Sequence, residues 1–330
     1  MSGMTPPIVE PKFLLDNLQR KDCAKGFTLV LCFSRRFCIN PFFETFNRMK
    51  FNRKKCHLLV FDNTDICLID RDLLPVIDKI SDQFLSVRYY KTFRQGGSVL
   101  RGERNDDFYK SKIFPISEMQ HDIISLVTTD TFVQMEDDEI PQNLNTIPRL
   151  LCLLNKKNVG IATGVSSARN PELTTVGMGV HQLVVRDGDR ITKRICCSPK
   201  TKGVVEVQGT GFYLFAAKSE LWLEALEDAR NVASGLPHWA FDTWTTNQVY
   251  QHGHKILADF SCWCDHLQAR PEGPYSFNQK DAVLDAYTYI PELDVYSYWQ
   301  NSPAYGWVIK DDGKNIATNS RRAGTEILRR

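Results

Sequence analysis

Two short apolar runs with an amphipathic stretch between them constrain this chain more than any other feature. Phe27-Thr-Leu-Val-Leu-Cys-Phe33 is apolar except at Thr28 and is bounded by turn-forming residues, the pattern of a buried strand. Pro41 to Arg53 follows, with Phe42, Phe43, Phe46 and Met49 at helical spacing. His57-Leu-Leu-Val-Phe61 is a second apolar strand and ends on Asp62-Asn63. Strand, helix and strand in about 35 residues is the size of a βαβ unit, the crossover that parallel strands require. The expectation is an α/β layer over the first half of the chain.

The pattern continues. Leu73 to Phe84 is amphipathic, Ser86 to Tyr90 is a third strand, and the Gly-, Arg- and Asp-rich residues 91–112 are a loop. Ile116 to Thr128 is a helix and Thr131-Phe-Val-Gln-Met135 a strand, followed by a helix from Leu144 to Leu154 and a strand from Val159 to Thr163. From about residue 175 the character changes. His181 to Arg186 and Arg190 to Cys197 flank Asp187-Gly188-Asp189, and Asp-Gly favours the positive φ angles of tight hairpin turns. Val204 to Gln208 and Phe212 to Ala216 are strands around Gly209-Thr-Gly211. Helices over Lys218 to Glu227 and Thr243 to His252, then a strand over Lys255 to Asp259, complete the periodic part. Residues 1–26 are an N-terminal extension, with 1–25 an extension or short helix outside the core. The Tyr- and Trp-rich residues 267–330 are a C-terminal extension.

Composition narrows the class. At 330 residues the chain allows one large or two ordinary domains, since a domain averages about 150 residues. With 42% hydrophobic and 24% charged residues it is an ordinary globular chain, which excludes collagenous, coiled-coil and wholly disordered classes. No apolar run approaches the roughly 20 residues of a membrane span, and no secretory leader pattern opens the sequence. The ten cysteines (23, 32, 38, 56, 67, 152, 196, 197, 262, 264) contain no CxxC. Several lie in apolar runs, so a reduced, cytoplasmic protein is expected, with Cys262 and Cys264 packing rather than binding zinc. Charge is uneven: residues 1–60 carry 11 basic and 4 acidic groups, and residues 61–150 carry 10 and 16. A basic N-terminal portion attracts phosphate or presents a solvated surface.

The residues with chemical potential gather at strand ends. Met135 is followed by Glu136-Asp137-Asp138-Glu139 and then Ile140-Pro141. Side chains that follow a buried strand sit at the carboxyl edge of the sheet, where ligands of open α/β sheets bind. Adjacent carboxylates repel unless a cation neutralises them, and hard oxygen ligands suit Mg²⁺ or Mn²⁺ bridged to phosphates; the alternative is a solvated acidic turn. Asp62 ends the second strand on the same edge and could accept hydrogen bonds from a base or ribose, or simply form a turn with Asn63. Arg101 and Arg104 could meet phosphates or belong to a solvated loop. A third segment runs from Phe241-Asp242-Thr through Gly253 and Asp259 to His266, a carboxylate opening a helix and a histidine closing the strand.

Together these residues resemble the GT-A glycosyltransferases, most closely the inverting family 2 type. Phe132-Val-Gln-Met-Glu136-Asp137-Asp138-Glu-Ile-Pro141 is similar to that family's apolar strand, DxD-type triplet and following proline. Phe61-Asp62-Asn63 looks like its second-strand motif, and Gly209-Thr-Gly211-Phe-Tyr-Leu-Phe its acceptor-side glycine loop. Phe241-Asp242-Thr is similar to the motif carrying the catalytic base, and Gly253 to His266 to the closing segment with a metal-ligand histidine. The resemblance covers about residues 27–266. The triplet begins with Glu136 where the family has Asp, Phe241 replaces the usual glutamate, and the Gln-x-x-Arg-Trp motif of processive synthases is missing.

The resemblance implies a GT-A fold: a Rossmann-like, mostly parallel central sheet, with residues 27–165 forming the nucleotide-sugar half and 166–266 a mixed acceptor half. It implies a metal-dependent, inverting transfer of a hexosyl or pentosyl group from a nucleotide sugar, with a UDP-sugar favoured, to a hydroxyl acceptor. Asp242 would be the base; Asp138, His266 and Glu136 the ligands of Mn²⁺ or Mg²⁺; Asp62, Asp137, Ser34 and Arg104 donor contacts; Gly209, Gly211 and Trp239 acceptor contacts. Two other readings stand beside it. The same fold could glycosylate a modified base in DNA, held by the basic N-terminal portion and the aromatic tail. Or the acidic strand end could serve a nucleotidyltransferase or a non-catalytic nucleotide-binding module, for which Asp242 is dispensable.

Overall fold

The structure is a computed structural model that describes residues 11–19, 22–33, 38–63, 69–92, 106–166, 179–188, 190–197, 201–232, 241–266, 268–270, 273–275, 288–290, 295–297, 308–309 and 315–317. In chain order the main elements are β1 (Lys12–Asp16), β2 (Phe27–Phe33), α1 (Ile39–Phe46), β3 (Cys56–Asn63), α2 (Ile69–Ile80), β4 (Ser86–Thr92), α3 (Asp106–Leu126), β5 (Thr131–Glu136), β6 (Glu139–Pro141), α4 (Thr146–Leu154), β7 (Val159–Ser166), β8 (Val180–Asp187), β9 (Arg190–Cys197), β10 (Val204–Val207), β11 (Gly209–Thr210), β12 (Leu214–Lys218), α5 (Ser219–Val232), α6 (Phe241–Gln251) and β13 (Lys255–His266).

A ten-stranded sheet runs β1-β4-β3-β2-β5-β12-β7-β13-β10, with β6 on the end of β13. β4, β3, β2 and β5 are mutually parallel, and β7 and β13 pair parallel beyond them. Antiparallel β12 lies between β5 and β7, so β2, β3, β4, β5, β7 and β13 all point one way. This is the α/β class with a mostly parallel sheet and a mixed far half. The chain steps from β2 outward to β4, then returns through α3 to place β5 on the opposite side of β2. The strand order therefore reverses between β2 and β5, and the carboxyl ends of those strands frame the crevice where α/β sheets bind ligands.

β2 and β3 are buried on both faces, which is why they read as nearly continuous apolar runs. Leu29, Val30, Leu31, Leu58, Leu59, Val60 and Phe61 are all at most 1% exposed. α1 covers β2 with rings: Phe33 stacks on Phe43 at 5.8 Å and meets Phe42 edge-on at 5.2 Å. The helix expected over Pro41–Arg53 ends at Phe46. There the Arg53 guanidinium folds back, donates to the carbonyls of Phe46 (2.9 Å) and Asn47 (3.3 Å), and lies over the Phe46 ring. Those bonds, with the Met49 N–H that also reaches the Phe46 carbonyl at 3.1 Å, supply partners to the carbonyls at the helix end.

Other expectations shift as well. Lys12–Asp16, expected in an extension or short helix outside the core, is an edge strand antiparallel to β4, with Phe13 against Tyr90 at 5.1 Å. The loop expected over 91–112 gives way to α3 from Asp106. β13 runs on past Asp259 to His266, through a register shift between Ala258 and Trp263. Asp259 builds that irregularity by accepting the Ser261 N–H and hydroxyl at 2.9 and 2.7 Å. The second sheet is β11-β8-β9 extended by Asn315–Ala317 and Val308–Ile309, so part of the C-terminal extension pairs with β9. The expected hairpin joins β8 to β9, with Gly188 at φ 56°.

Candidate active site

The acidic residues sit where the sheet topology places a crevice. β5 ends at Glu136, Asp137 and Asp138 form a turn, and Glu139 opens β6. The Asp137 N–H donates to the Cys32 carbonyl at 2.9 Å, which ties the turn to the last residues of β2. Glu136 is half-buried and is the member of the group with access to solvent; Asp137, Asp138 and Glu139 are at most 1% exposed. Adjacent buried carboxylates are costly without compensation. Part of that compensation is visible at Glu139, whose two oxygens accept the Ser166 hydroxyl at 2.8 and 2.7 Å. Burial, followed by the charges of Glu136 and Asp137, holds the Cys32 thiol well above its ordinary value, so it stays protonated.

Asp62 lies near the end of β3, on the far side of β2 from β5, paired in register with Lys91 and beside Phe33. It is fully buried, accepts the Tyr89 hydroxyl at 2.7 Å and has the Lys91 ammonium 3.8 Å away. Sequence reasoning missed both partners. The third strand was expected to stop at Tyr90, one residue short of the lysine that alternates onto the same face as Tyr89.

The second half of the site comes from α6. Asp242 is the second residue of that helix, where the helix dipole favours an anion. Burial pushes its carboxyl above the ordinary range; Arg194 and the Thr243 hydrogen bonds oppose the push. Gly211 lies against it: a Cβ built there would be 3.2 Å from Asp242 Oδ2 and 2.8 Å from Tyr213 Cδ1. Gly209 likewise faces Thr243: a Cβ built there would be 3.1 Å from the Thr243 methyl. β11 is locked to α6 by Thr246, whose hydroxyl bonds both the N–H and the carbonyl of Thr210 at 2.9 Å. The Tyr213 carbonyl accepts the Glu136 N–H at 3.0 Å. The loop against Asp242 is thus separated from the residue bonded to the acidic turn by two residues of chain, at most about 7 Å.

β6 brings in the last candidate. His266 is paired in register with Glu139, directly after the acidic turn, while its side chain lies outside the described residues. Ser34, Arg101, Arg104 and Trp239 also lie outside them. Among the described residues, no three His, Cys, Asp or Glu side chains converge on one metal position. The donor chemistry still suits a hard divalent ion: successive aspartates at a strand end, with a histidine brought alongside by backbone pairing. Cys262 and Cys264 are fully buried and pack in the core. No helix among the described residues is long and apolar enough to cross a membrane.

The fold and site define an α/β protein with a cluster of carboxylates at its topological switch point. No protein-family model matches the chain, and no curated protein matches it. The solved structures it resembles include GT-A-type glycosyltransferases. The mannosyltransferase PcManGT from Pyrobaculum calidifontis, in complex with GDP-Man and Mn²⁺, is 14% identical with a TM-score of 0.43, over 73% of this chain and 56% of that one. GalNAc-T7 with UDP, GalNAc and Mn²⁺ is 14% identical with a TM-score of 0.48, over 76% and 46%. Residues 1–349 of TarS from S. aureus in complex with UDP are 12% identical with a TM-score of 0.43, over 72% and 59%. The chain spans about half the length of these proteins. At such scores the likeness stands as a likeness, and the functional reading rests on the chain's own strand order and residues.

Proposed function

We propose that the chain is a metal-dependent, inverting glycosyltransferase that moves a sugar from a nucleotide sugar to a hydroxyl acceptor. One observation supports the reading: the short segment Gly211–Tyr213 lies against both Asp242 and the acidic turn. The acidic turn closes β5 at the switch point, its Glu136 N–H bonded to the Tyr213 carbonyl, and Gly211, two residues before Tyr213, packs against Asp242. Phosphate-binding chemistry alone needs only the acidic turn. Asp138, with Glu136, Asp137 and His266, would hold a divalent ion, and Asp62 would contact the donor nucleotide. The ion, when bound, would supply Lewis-acid neutralisation of a diphosphate leaving group. Asp242 would take the proton of the acceptor hydroxyl. That oxygen forms the new bond to the anomeric carbon from the face opposite the bond that breaks, so configuration inverts and a nucleoside diphosphate leaves. A UDP-sugar is the favoured donor, and 27–266 the catalytic unit.

Asp242→Asn tests the reading. Asparagine keeps the size and the capping ability of aspartate but cannot act as a base at neutral pH. General-base catalysis is typically worth 10²–10⁴-fold, so turnover should fall by roughly that factor with donor affinity nearly unchanged. Near-normal transfer by a stably folded Asp242→Asn protein would overturn the proposal in favour of a nucleotidyltransferase or nucleotide-binding module.

A further inference from the structure

The two carboxylate oxygens of Asp242 are not equivalent. Oδ1 accepts the Thr243 N–H at 2.6 Å and the Thr243 hydroxyl at 3.3 Å. The same hydroxyl accepts Arg194 Nη1 at 3.1 Å. A threonine hydroxyl has one proton to donate, and a guanidinium only donates. The Thr243 hydroxyl thus accepts from Arg194 and gives its one proton to Asp242 Oδ1. The chain of bonds runs one way, from a fixed positive charge to one oxygen of the carboxylate. Oδ2 takes no part in it and faces Gly211, where a side chain would approach to 3.2 Å.

The geometry points to Arg194 and Thr243 as a positioning relay that holds Asp242 in one orientation and leaves Oδ2 as the oxygen that takes the acceptor proton. The inference rests on the reading of Asp242 as the base. It also gives the second sheet a part in the reaction, because Arg194 belongs to β9 and reaches across to α6.

Among the described residues, the other charged groups around α6 are engaged elsewhere. On β8, Arg186 donates to Gln248 Oε1 at 2.7 Å and to the Trp244 carbonyl at 2.9 Å, and lies 4.3 Å over the Trp244 ring. His181 on the same strand is held well below its ordinary value, first by burial and then by Arg194, so it is neutral. Burial pushes the Tyr213 phenol up, so it too is neutral. On α5, Asp228 is taken by Gln248 at 2.7 Å and His252 at 3.2 Å, with Glu224 3.9 Å from the other nitrogen of His252. On β13, Lys255 pairs with Glu206 at 2.8 Å. Arg194 is the charge that opposes the burial of Asp242.

Two readouts in the full chain test the relay. The first is the titration of the Asp242 carboxyl followed by ¹³C NMR, which needs no turnover. Removing a neighbouring positive charge favours the neutral acid, so Arg194→Gln should move the titration to higher pH, and the acid limb of the transfer profile with it. The second is kinetic. Thr243→Val keeps the shape and loses the hydroxyl, so turnover should fall roughly 10- to 100-fold, the worth of one hydrogen bond to a charged group, with donor affinity unchanged. Thr243→Ser should restore it. A titration that does not move in Arg194→Gln overturns the relay, as does wild-type turnover in Thr243→Val. If Asp242→Asn itself turns over normally, the assignment of the base fails, and the NMR titration still decides whether Arg194 and Thr243 govern the carboxylate.

Discussion

Replacing Gly211 by alanine should damage fold and site together. The added methyl would lie 2.8 and 3.0 Å from Cδ1 and Cε1 of Tyr213 and 3.2 Å from Asp242 Oδ2. Gly211 does not occupy the left-handed region, so alanine meets a steric cost and no backbone strain. The Tyr213 ring cannot turn away freely. It is 7% exposed, and its hydroxyl donates to the Gly164 carbonyl at 3.1 Å and accepts from Thr210 at 3.2 Å. Overpacking of this kind costs about 1–3 kcal/mol. The lower entropy of an unfolded chain carrying alanine offsets about 0.4–1 kcal/mol of that. A net loss of about 1–2 kcal/mol remains, a drop of roughly 0.3–1 M in urea midpoint at slopes of 2–3 kcal/mol/M. Because the Tyr213 carbonyl holds the Glu136 N–H, transfer should fall by more than the unfolded fraction explains. Gly188→Ala is the control. Its φ of 56° imposes a backbone cost of about 1–2 kcal/mol, while nothing lies within 4 Å of the added carbon. It should lower the midpoint and spare transfer per folded molecule. A Gly211→Ala protein with wild-type midpoint and wild-type transfer would refute the reasoning.

Asp138→Asn should abolish metal-dependent binding of a nucleoside diphosphate in calorimetry; unchanged affinity with and without chelator would remove the metal from the proposal. Asp259→Asn should destabilise in a pH-dependent way. Burial pushes that carboxyl up, but the Ser261 and Arg149 hydrogen bonds outweigh it and hold it below the ordinary range. A lowered value contributes stability above the unfolded pKa, near 4, and loses it as pH falls through the folded value. Arg149 is 45% exposed, so solvent weakens its share, and the total is about 1–3 kcal/mol. Urea midpoints of wild type and variant should differ at pH 7 and converge below about pH 4, whereas a gap independent of pH would contradict the assignment.

The parallel half was legible because burial on both faces turns a strand into an apolar run, and β2, β3 and β5 are such runs. The acidic turn was legible for the same reason: an abrupt change from Met135 to four acids can fall only at a strand end. What failed depended on partners distant in sequence. The end of α1 is set by Arg53 folding back onto Phe46, which helical periodicity cannot register. β1 is a strand because it lies along β4, and its alternation alone is too short to say so. Arg194 sits in a hairpin chosen for its Asp-Gly turn, and nothing local to it points at Thr243. Tyr89 and Lys91 acquire a role only once β4 is aligned with β3.

The division of labour between the halves follows from how each is held. Asp62 is fixed within the parallel half, by neighbours on the adjacent strand. Asp242 is fixed from three directions: Arg194 from the second sheet, Thr210 through Thr246 on its own helix, and Gly211 from below. Those contacts join segments far apart in sequence, so the geometry at Asp242 exists only when the second sheet is seated on α6. The Glu136–Tyr213 bond then carries that seating to the acidic turn. The carboxylates that would hold a donor and the carboxylate that would activate an acceptor are therefore not independent sites on a common scaffold. The short bend from Gly211 to Tyr213 makes the position of one a condition on the position of the other.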